Sequence, residues 1–267
     1  MTRLLSLLFH DVYARDPVES GFPGPAADRY KLSTSDFERQ LSGLAEARRD
    51  APVLIDGRRP APEGGQGFAI TVDDGGVSFF TEVAPRLEAR GWRAHCLVTT
   101  GCIGRRGFLD RAQIRDLGRR GHVIGSHSVS HPPRFHGLGR KDMVREWRES
   151  RATLEDVLGE KVAVASVPGG GYSQAVAAAA AEAGLGALFT SEPERRLQVV
   201  EGCLVLGRFT VRRGSDDDFS LRLGRLQASA LLRQWVVWNG KKVAKGMLGS
   251  AYPRLALGMA RRGEEST

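Results

Sequence analysis

Apolar residues along the chain fall into short runs that alternate with longer segments where they recur every three or four positions, so strand and helix periods take turns. Leu4 to Phe9 is the first short run, and the polar His10-Asp11 behind it is what a central strand delivers at its carboxyl end. Ser33 or Ser35 then opens a helix on Phe37, Leu41 and Leu44, with Asp36 and Glu38 in its first turn. Pro52 to Ile55 predicts a short strand, and Phe68 to Val72 a longer one ending in Asp73-Asp74-Gly75-Gly76. The order is regular from there: helix from near Ser78 to Ala89, strand Ala94 to Val98, helix Asp110 to Arg120, strand His122 to Ile124, helix Lys141 to Leu158, strand Val162 to Ala165, helix Gln174 to Ala183, strand Leu188 to Thr190. Leu204 to Val211 reads as a last strand, and Asp216-Asp217-Asp218 as the cap of a helix Phe219 to Trp238.

Strands separated by helices of ten or more residues imply parallel pairing with right-handed crossovers. The expected fold is therefore α/β, a distorted or incomplete (β/α) barrel. Chemistry in such barrels collects at the carboxyl ends of the strands, where His10, Asp73, Asp74, His127 and the Pro168 loop all fall. Between Tyr13 and Tyr30, Pro17, Gly21, Pro23, Gly24 and Pro25 forbid a long element and leave a loop or flap that could roof a site. Gly64 to Gly67 is a further loop.

With 267 residues and no low-complexity linker, one barrel-sized domain is expected at 1–215, followed by a basic helical tail at 216–267. Cys96, Cys102 and Cys203 are odd in number and scattered, which suits a reducing compartment. The N-terminal apolar run is short and broken by His10-Asp11, so it reads as a buried strand and not a signal peptide. No apolar run is long enough to cross a bilayer.

Gly125-Ser-His-Ser-Val-Ser-His131 places two imidazoles four residues apart after a short apolar run. On a helical turn such a pair faces one way and can share a cation, with Zn²⁺ the default for nitrogen and oxygen ligands; a polar loop is the plain alternative. Asp73 and Asp74 point to opposite sides if the strand continues, so one can bind metal while the other does something else. Asp74 with His127 and His131 would make a His₂Asp set with a position open for water or a substrate carbonyl. Asp73 would take the proton from the attacking water. A helix cap and turn is the simpler reading of that pair. In Ser166-Val-Pro168-Gly169-Gly170-Gly-Tyr172 the glycines could aim N–H groups at a developing oxyanion, or form an ordinary loop. His95 reads as a core histidine, His136 as a loop residue within reach of substrate, and Trp235 and Trp238 as packing.

Thr-Val-Asp73-Asp74-Gly75, His127-Ser-Val-Ser-His131 and Ser166-Val-Pro168-Gly169-Gly170, in this order, resemble the first three motifs of the polysaccharide deacetylases, the NodB-like carbohydrate esterases. The likeness covers about Leu4 to Val211. It implies a distorted (β/α) barrel, a divalent metal, usually zinc, and hydrolysis of an N-acetyl group on an amino sugar. By position, Asp73 would be the base, Asp74, His127 and His131 the ligands, and Pro168, Gly169, Gly170 and Tyr172 the substrate and oxyanion site. Two departures stand out. The third motif normally opens with an arginine that orients the catalytic aspartate, and Ser166 stands there, so Arg208 or Arg212 is the expected substitute. No histidine follows His136 to serve as the late general acid. Phe9-His10-Asp11-Val12 is similar to the N-terminal strand of a circularly permuted branch, which makes His10 the acid, oriented by an acidic neighbour. The alternative function is a catalytically silent barrel that binds glycan or tethers a partner at a membrane.

Net charge is +8, and from Arg222 to Arg262 there is no acidic residue against nine cationic ones. Mixed with Leu, Val and Trp, this suits an amphipathic segment on an anionic membrane; a solvated basic face is the alternative. No recognition module points to nucleic acid. The combined expectation is a cytoplasmic enzyme, peripheral at the inner face of the membrane, acting on an amino-sugar precursor that is lipid- or nucleotide-linked.

Overall fold

The computed structural model describes residues 3–57 and 67–248. Its first strand, β1 (Leu5–Phe9), is buried throughout, as a strand covered on both faces must be. The chain then forms β2 (Val12–Tyr13), a short helix α1 (Pro25–Asp28), β3 (Leu32–Ser33) and α2 (Thr34–Ala47). β2 pairs with β3, so the expected flap is tied down at both ends. Ser33 Oγ accepts the Asp36 N–H and caps α2, whose Phe37, Leu41 and Leu44 form the buried stripe.

The strand expected at Pro52–Ile55 does not form. Only Val53 bonds the neighbouring strand, donating to Phe68 O at 2.7 Å, while the Ile55 N–H donates to the ring Nε2 of His95 at 2.9 Å. A donor spent on a side chain cannot continue a ladder, and Pro52 has none to offer.

β4 (Phe68–Val72) pairs in parallel with β1, Phe9 opposite Val72. The helix expected from Ser78 opens as a π-turn at Phe79–Val83 before settling into α3 (Ala84–Glu88). β5 (His95–Val98), α4 (Arg111–Arg119), β6 (Val123–Ser126), α5 (Arg140–Leu158), β7 (Val164–Ser166), α6 (Gln174–Glu182) and β8 (Ala187–Phe189) follow, every strand parallel to the last. An edge strand that the apolar pattern did not reveal, β9 (Gln198–Val200), is antiparallel to β10 (Cys203–Leu206). Its Gln198 and Val199 are exposed, so it carries no buried-run signal.

The predicted last strand, Leu204 to Val211, is two strands. β10 pairs with β8, and two residues later β11 (Phe209–Thr210) pairs with β1. The Gly207–Arg208 step therefore joins opposite ends of the sheet, whose order is β11-β1-β4-β5-β6-β7-β8-β10-β9. The result is a curled, distorted barrel. A Cβ on Gly207 would lie 2.5 Å from the carbonyl oxygens of both Glu192 and Glu194, so the step requires glycine.

The C-terminal helix is likewise divided, into α7 (Phe219–Gly224) and α8 (Ala228–Leu248), with Leu226 left-handed between them. The aspartate triplet does not cap with a side chain; Asp216 instead pairs with Arg222 and Arg233. α7 lies on α2, where Gln40 Oε1 accepts from Ser220 N and Oγ. Gln234 on α8 bonds both the N–H and C=O of Thr210, occupying backbone groups of β11. Of the expected tail, residues 249–267, including Arg254, Arg261 and Arg262, lie outside the described residues, as do 64–66 of the expected loop.

Leu4, Ala69, Leu97, Val164, Phe189 and Leu206 form one apolar cluster inside the barrel. Side chains alternate along a strand. Counting on by twos from these residues therefore puts His10, Asp73, Ser166 and Arg208 on the same inner side, above that cluster.

Candidate active site

Asp73 stands where β4 ends, 3% exposed. Its Oδ1 accepts from Arg208 Nη1 at 2.7 Å and Ser166 Oγ at 3.0 Å, and its Oδ2 from Arg208 Nη2 at 2.8 Å. Arg208 is fully buried; Nε donates to Thr190 O and Nη1 also to Thr71 Oγ1, so the fork is held from its sides. Burial alone would favour protonated Asp73, but the Arg208 charge, followed by His127, holds its carboxyl well below the usual range. Arg212 lies beyond β11, bonds Ser215 Oγ through its backbone N–H and is not among the hydrogen-bond partners of Asp73. Of the two arginines expected to replace the one absent at 166, the structure brings only Arg208 to the carboxylate.

The next residue, Asp74, is left-handed at φ 77°, which turns its side chain away from the strand path. Its Oδ1 sits 3.4 Å from His127 Nε2 and 3.5 Å from His131 Nε2. The expected geometry of the histidine pair is wrong in one respect: there is no helical turn. His127 follows β6, and the chain reverses through Ser128 (φ 66°) to His131 (φ 51°), bringing the rings to 5.0 Å. Serines and one acid stabilise this reversal. Ser128 Oγ accepts from His131 N–H, and Glu146 on α5 accepts from the N–H groups of Val129 and Ser130 and from Ser130 Oγ.

The donor atoms of Asp74, His127 and His131 lie within 4.8 Å of one another. Burial pushes His127 down to about 3 and lowers His131, so both imidazoles are neutral. Ser166 occupies the Nδ1 side of His127, Oγ at 2.6 Å and carbonyl oxygen at 3.1 Å, which leaves Nε2 facing Asp74. Burial, then the charges of Asp11 and Asp73, push the Asp74 carboxyl well above its ordinary value. Two imidazole lone pairs and a carboxylate strained by its neighbours fit a divalent cation, which would relieve that strain.

His10 directly follows β1, beside Asp73, whose N–H donates to Phe9 O. Its ring packs on Tyr30, centroids 4.9 Å apart, and its Nδ1 is buried without a hydrogen-bond partner among the described residues. Burial is the main cause that lowers His10 to about 4, against the raising effect of Asp73. The expected orienting acid is not bonded to it. Asp11 turns the other way, its Oδ1 accepting from Ser20 Oγ at 2.5 Å and Ser78 Oγ at 2.8 Å. A Cβ at Gly21 or Gly76 would lie 1.8 Å from this carboxylate. The clamp holds the 14–24 flap so that Phe22 packs on His131 (4.8 Å) and Phe108 (5.0 Å). Phe22, Tyr30 and Glu146 were not legible as site residues, because no local spacing ties them to the motifs.

Pro168, Gly169 and Gly170 form a tight 3-10 turn after β7, with Gly169 at φ 66° and its α-carbon so near Pro133 O that a Cβ would lie 2.6 Å away. Tyr172 N–H has no backbone acceptor among the described residues, and its buried hydroxyl has no partner. Trp238 of α8 donates its ring N–H to Glu192 Oε2 at 3.0 Å and touches the same turn at Gly170. His95 is a core residue bonded to Ile70 O, and exposed His136 leans on Gly171.

Fold and donor set together define a class, a curled (β/α) barrel with a candidate metal site at the carboxyl ends of its strands. Residues 61–188 match the family model described as polysaccharide deacetylase. The Bacillus subtilis protein YxkH, itself assigned to the polysaccharide deacetylases, is 26% identical over 124 residues, 46% of this chain and 44% of YxkH. The match thus spans less than half of that relative's length. Among solved structures, the Streptococcus pyogenes deacetylase PplD in complex with acetate has a TM-score of 0.65 at 18% identity, covering 81% of this chain and 96% of its own. The Bacillus cereus polysaccharide deacetylase BC0361 gives 0.68 at 15% identity over 86% and 69%. IcaB from Ammonifex degensii gives 0.63 at 21% over 86% and 98%. These likenesses are ones of fold.

Proposed function

We propose that the chain is a metal-dependent hydrolase that removes the N-acetyl group of an amino sugar. The observation that carries this reading is the buried carboxylate of Asp73, clamped by Arg208 and Ser166 and set 4.0 Å from the ring of His127. Asp74, His127 and His131 would hold a divalent cation, zinc by the nitrogen and oxygen character of the set, which supplies Lewis acidity and an activated water. The Arg208 charge favours the ionised form of Asp73. With Oδ1 doubly bonded to its supports, Oδ2 is the freer oxygen to collect the proton of the attacking water. His10 is neutral at rest, its proton affinity lowered by burial; to act as the acid it would first take up the proton that Asp73 collects from the attacking water and then pass it to the departing amine nitrogen. The N–H of Tyr172 and the glycine turn before it, in the third motif, would receive the carbonyl oxygen.

The absence of an arginine at 166 argued for a silent barrel; Arg208 now meets that objection. Acetate release from a panel of N-acetylated sugars tests the reading. Asp73→Asn should retain metal and lose acetate release, whereas His127→Ala should lose both. Normal turnover by Asp73→Asn would overturn the assignment of the base. A lipid- or nucleotide-linked precursor as substrate, and a cytoplasmic location, belong to the same reading. They are tested by the panel's lipid- and nucleotide-linked members and by localising the tagged native protein. Among the described residues, no helix is long and apolar enough to cross a membrane.

A further inference from the structure

Three cations at the start of the one-signed tail are already paired. Arg222 and Arg233 are paired with Asp216, and Arg225 with Glu46. Uncompensated charge appears instead beside the outer face of α8, where a groove of about 450 Å³ runs between the helix and the 193–196 turn. Arg3, Arg195 and Arg196 line one side of it, and Leu231, Leu232 and Trp235 the other. The turn is fixed to the barrel, since Leu4 N–H donates to Arg195 O and Arg3 bridges Arg196. Glu194, the nearest acid in sequence, spends one carboxylate oxygen on the N–H groups of Arg195 and Arg196. None of the three guanidinium groups has a carboxylate within ion-pair distance among the described residues, and the Nε of Arg195 is buried without a partner. Burial, then the repulsion of Arg3 and Arg48, lower the Arg195 guanidinium below its usual value, against the raising effect of Glu194. Alongside, Leu232 is 60%, Trp235 52%, Val236 53% and Val237 43% exposed.

The geometry points to an anionic lipid bilayer as the occupant of this face: phosphate headgroups against Arg3, Arg195 and Arg196, acyl chains against Leu232, Trp235 and Val236. Three cations against the single acid Glu194 leave the groove net positive and select negative charge, and a contiguous apolar helix face selects a partner that also offers hydrocarbon. A free phosphate satisfies only the first requirement, and a nucleic acid offers no hydrocarbon. Docking would also bring the bilayer alongside the site, because α8 reaches the Gly170 turn through Trp238. The inference stands on this surface alone and holds whether or not the site deacetylates.

Co-sedimentation of the full chain with vesicles of phosphatidylcholine, with and without phosphatidylglycerol, tests it. Binding should require phosphatidylglycerol and fall as salt is raised. Reversing the exposed Arg3→Glu and Arg196→Glu together should weaken it by about tenfold or more, and Leu232→Glu, also exposed, should do so without altering the fold seen by circular dichroism. Equal binding to neutral vesicles, wild-type affinity in both variants, thermal stabilisation by inorganic phosphate with no vesicle binding, or preference for an RNA oligonucleotide over vesicles would each overturn it.

Discussion

Arg208 and Asp73 lie 135 residues apart and form a bidentate, fully buried ion pair, Nη1 to Oδ1 at 2.7 Å and Nη2 to Oδ2 at 2.8 Å. A pair this deep depends on both members, because removing one leaves the other charged and unsolvated. Arg208→Met should destabilise the protein by about 3–5 kcal/mol in denaturant unfolding. Arg208→Lys keeps the charge but cannot reproduce the fork. Its turnover should fall by roughly a hundredfold, with metal content unchanged. Wild-type kcat in Arg208→Lys would show that the fork does not position Asp73.

Ser166 touches both halves of the site, donating to Asp73 Oδ1 and meeting His127 Nδ1. Ser166→Ala leaves the Ser166 carbonyl to hold the ring but removes the hydroxyl. Metal affinity should weaken by about tenfold, the usual scale for losing an outer partner of a ligand, as read by competition with a chromogenic chelator.

His10 is placed beside the carboxylate and outside the donor set. His10→Ala is expected to keep its metal and lose roughly 10²–10⁴ in kcat. Loss of metal in this variant would reassign His10 as a ligand.

Asp11 supplies a pH test from outside the donor set, although its charge also bears on Asp74. Burial raises its carboxyl above the ordinary range, which the Ser20 and Ser78 bonds only partly offset. For an acid with a raised folded value, ionisation costs stability. No cost exists below the unfolded pKa of about 4; it accumulates as pH rises toward the folded value and is constant above it. Asp11→Asn keeps an acceptor for both serines and cannot ionise. The stability of this variant relative to wild type should therefore increase between about pH 4 and neutrality, followed by urea unfolding across that range. A flat difference would mean that the carboxyl is not held back by burial.

Gly207 carries the step between β10 and β11. Gly207→Ala must displace two carbonyl oxygens at once, so it should cost about 1–3 kcal/mol in unfolding free energy.

Much of this architecture was legible in the linear chain because local periodicity is a local property. The alternation of buried runs with amphipathic helices placed β1, β4 to β8 and α4 to α6 within a few residues of where they lie. The motifs themselves named Asp73, Asp74, His127 and His131. Where the chain deviates, a long-range partner decided. Ile55 gave its N–H to His95, so Pro52–Ile55 never became a strand. Leu204–Val211 broke in two because its halves answer to β8 and β1, at opposite ends of the sheet. The same break turns Arg208 inward to Asp73, and no spacing in the sequence separates Arg208 from Arg212. Residue type and period decided which chemistry the chain could perform. Which arginine reaches the carboxylate, that two histidines meet through a left-handed turn, and that Arg222, Arg225 and Arg233 of the tail are already paired were decided by tertiary packing, since each depends on contacts that residue type and local period do not specify.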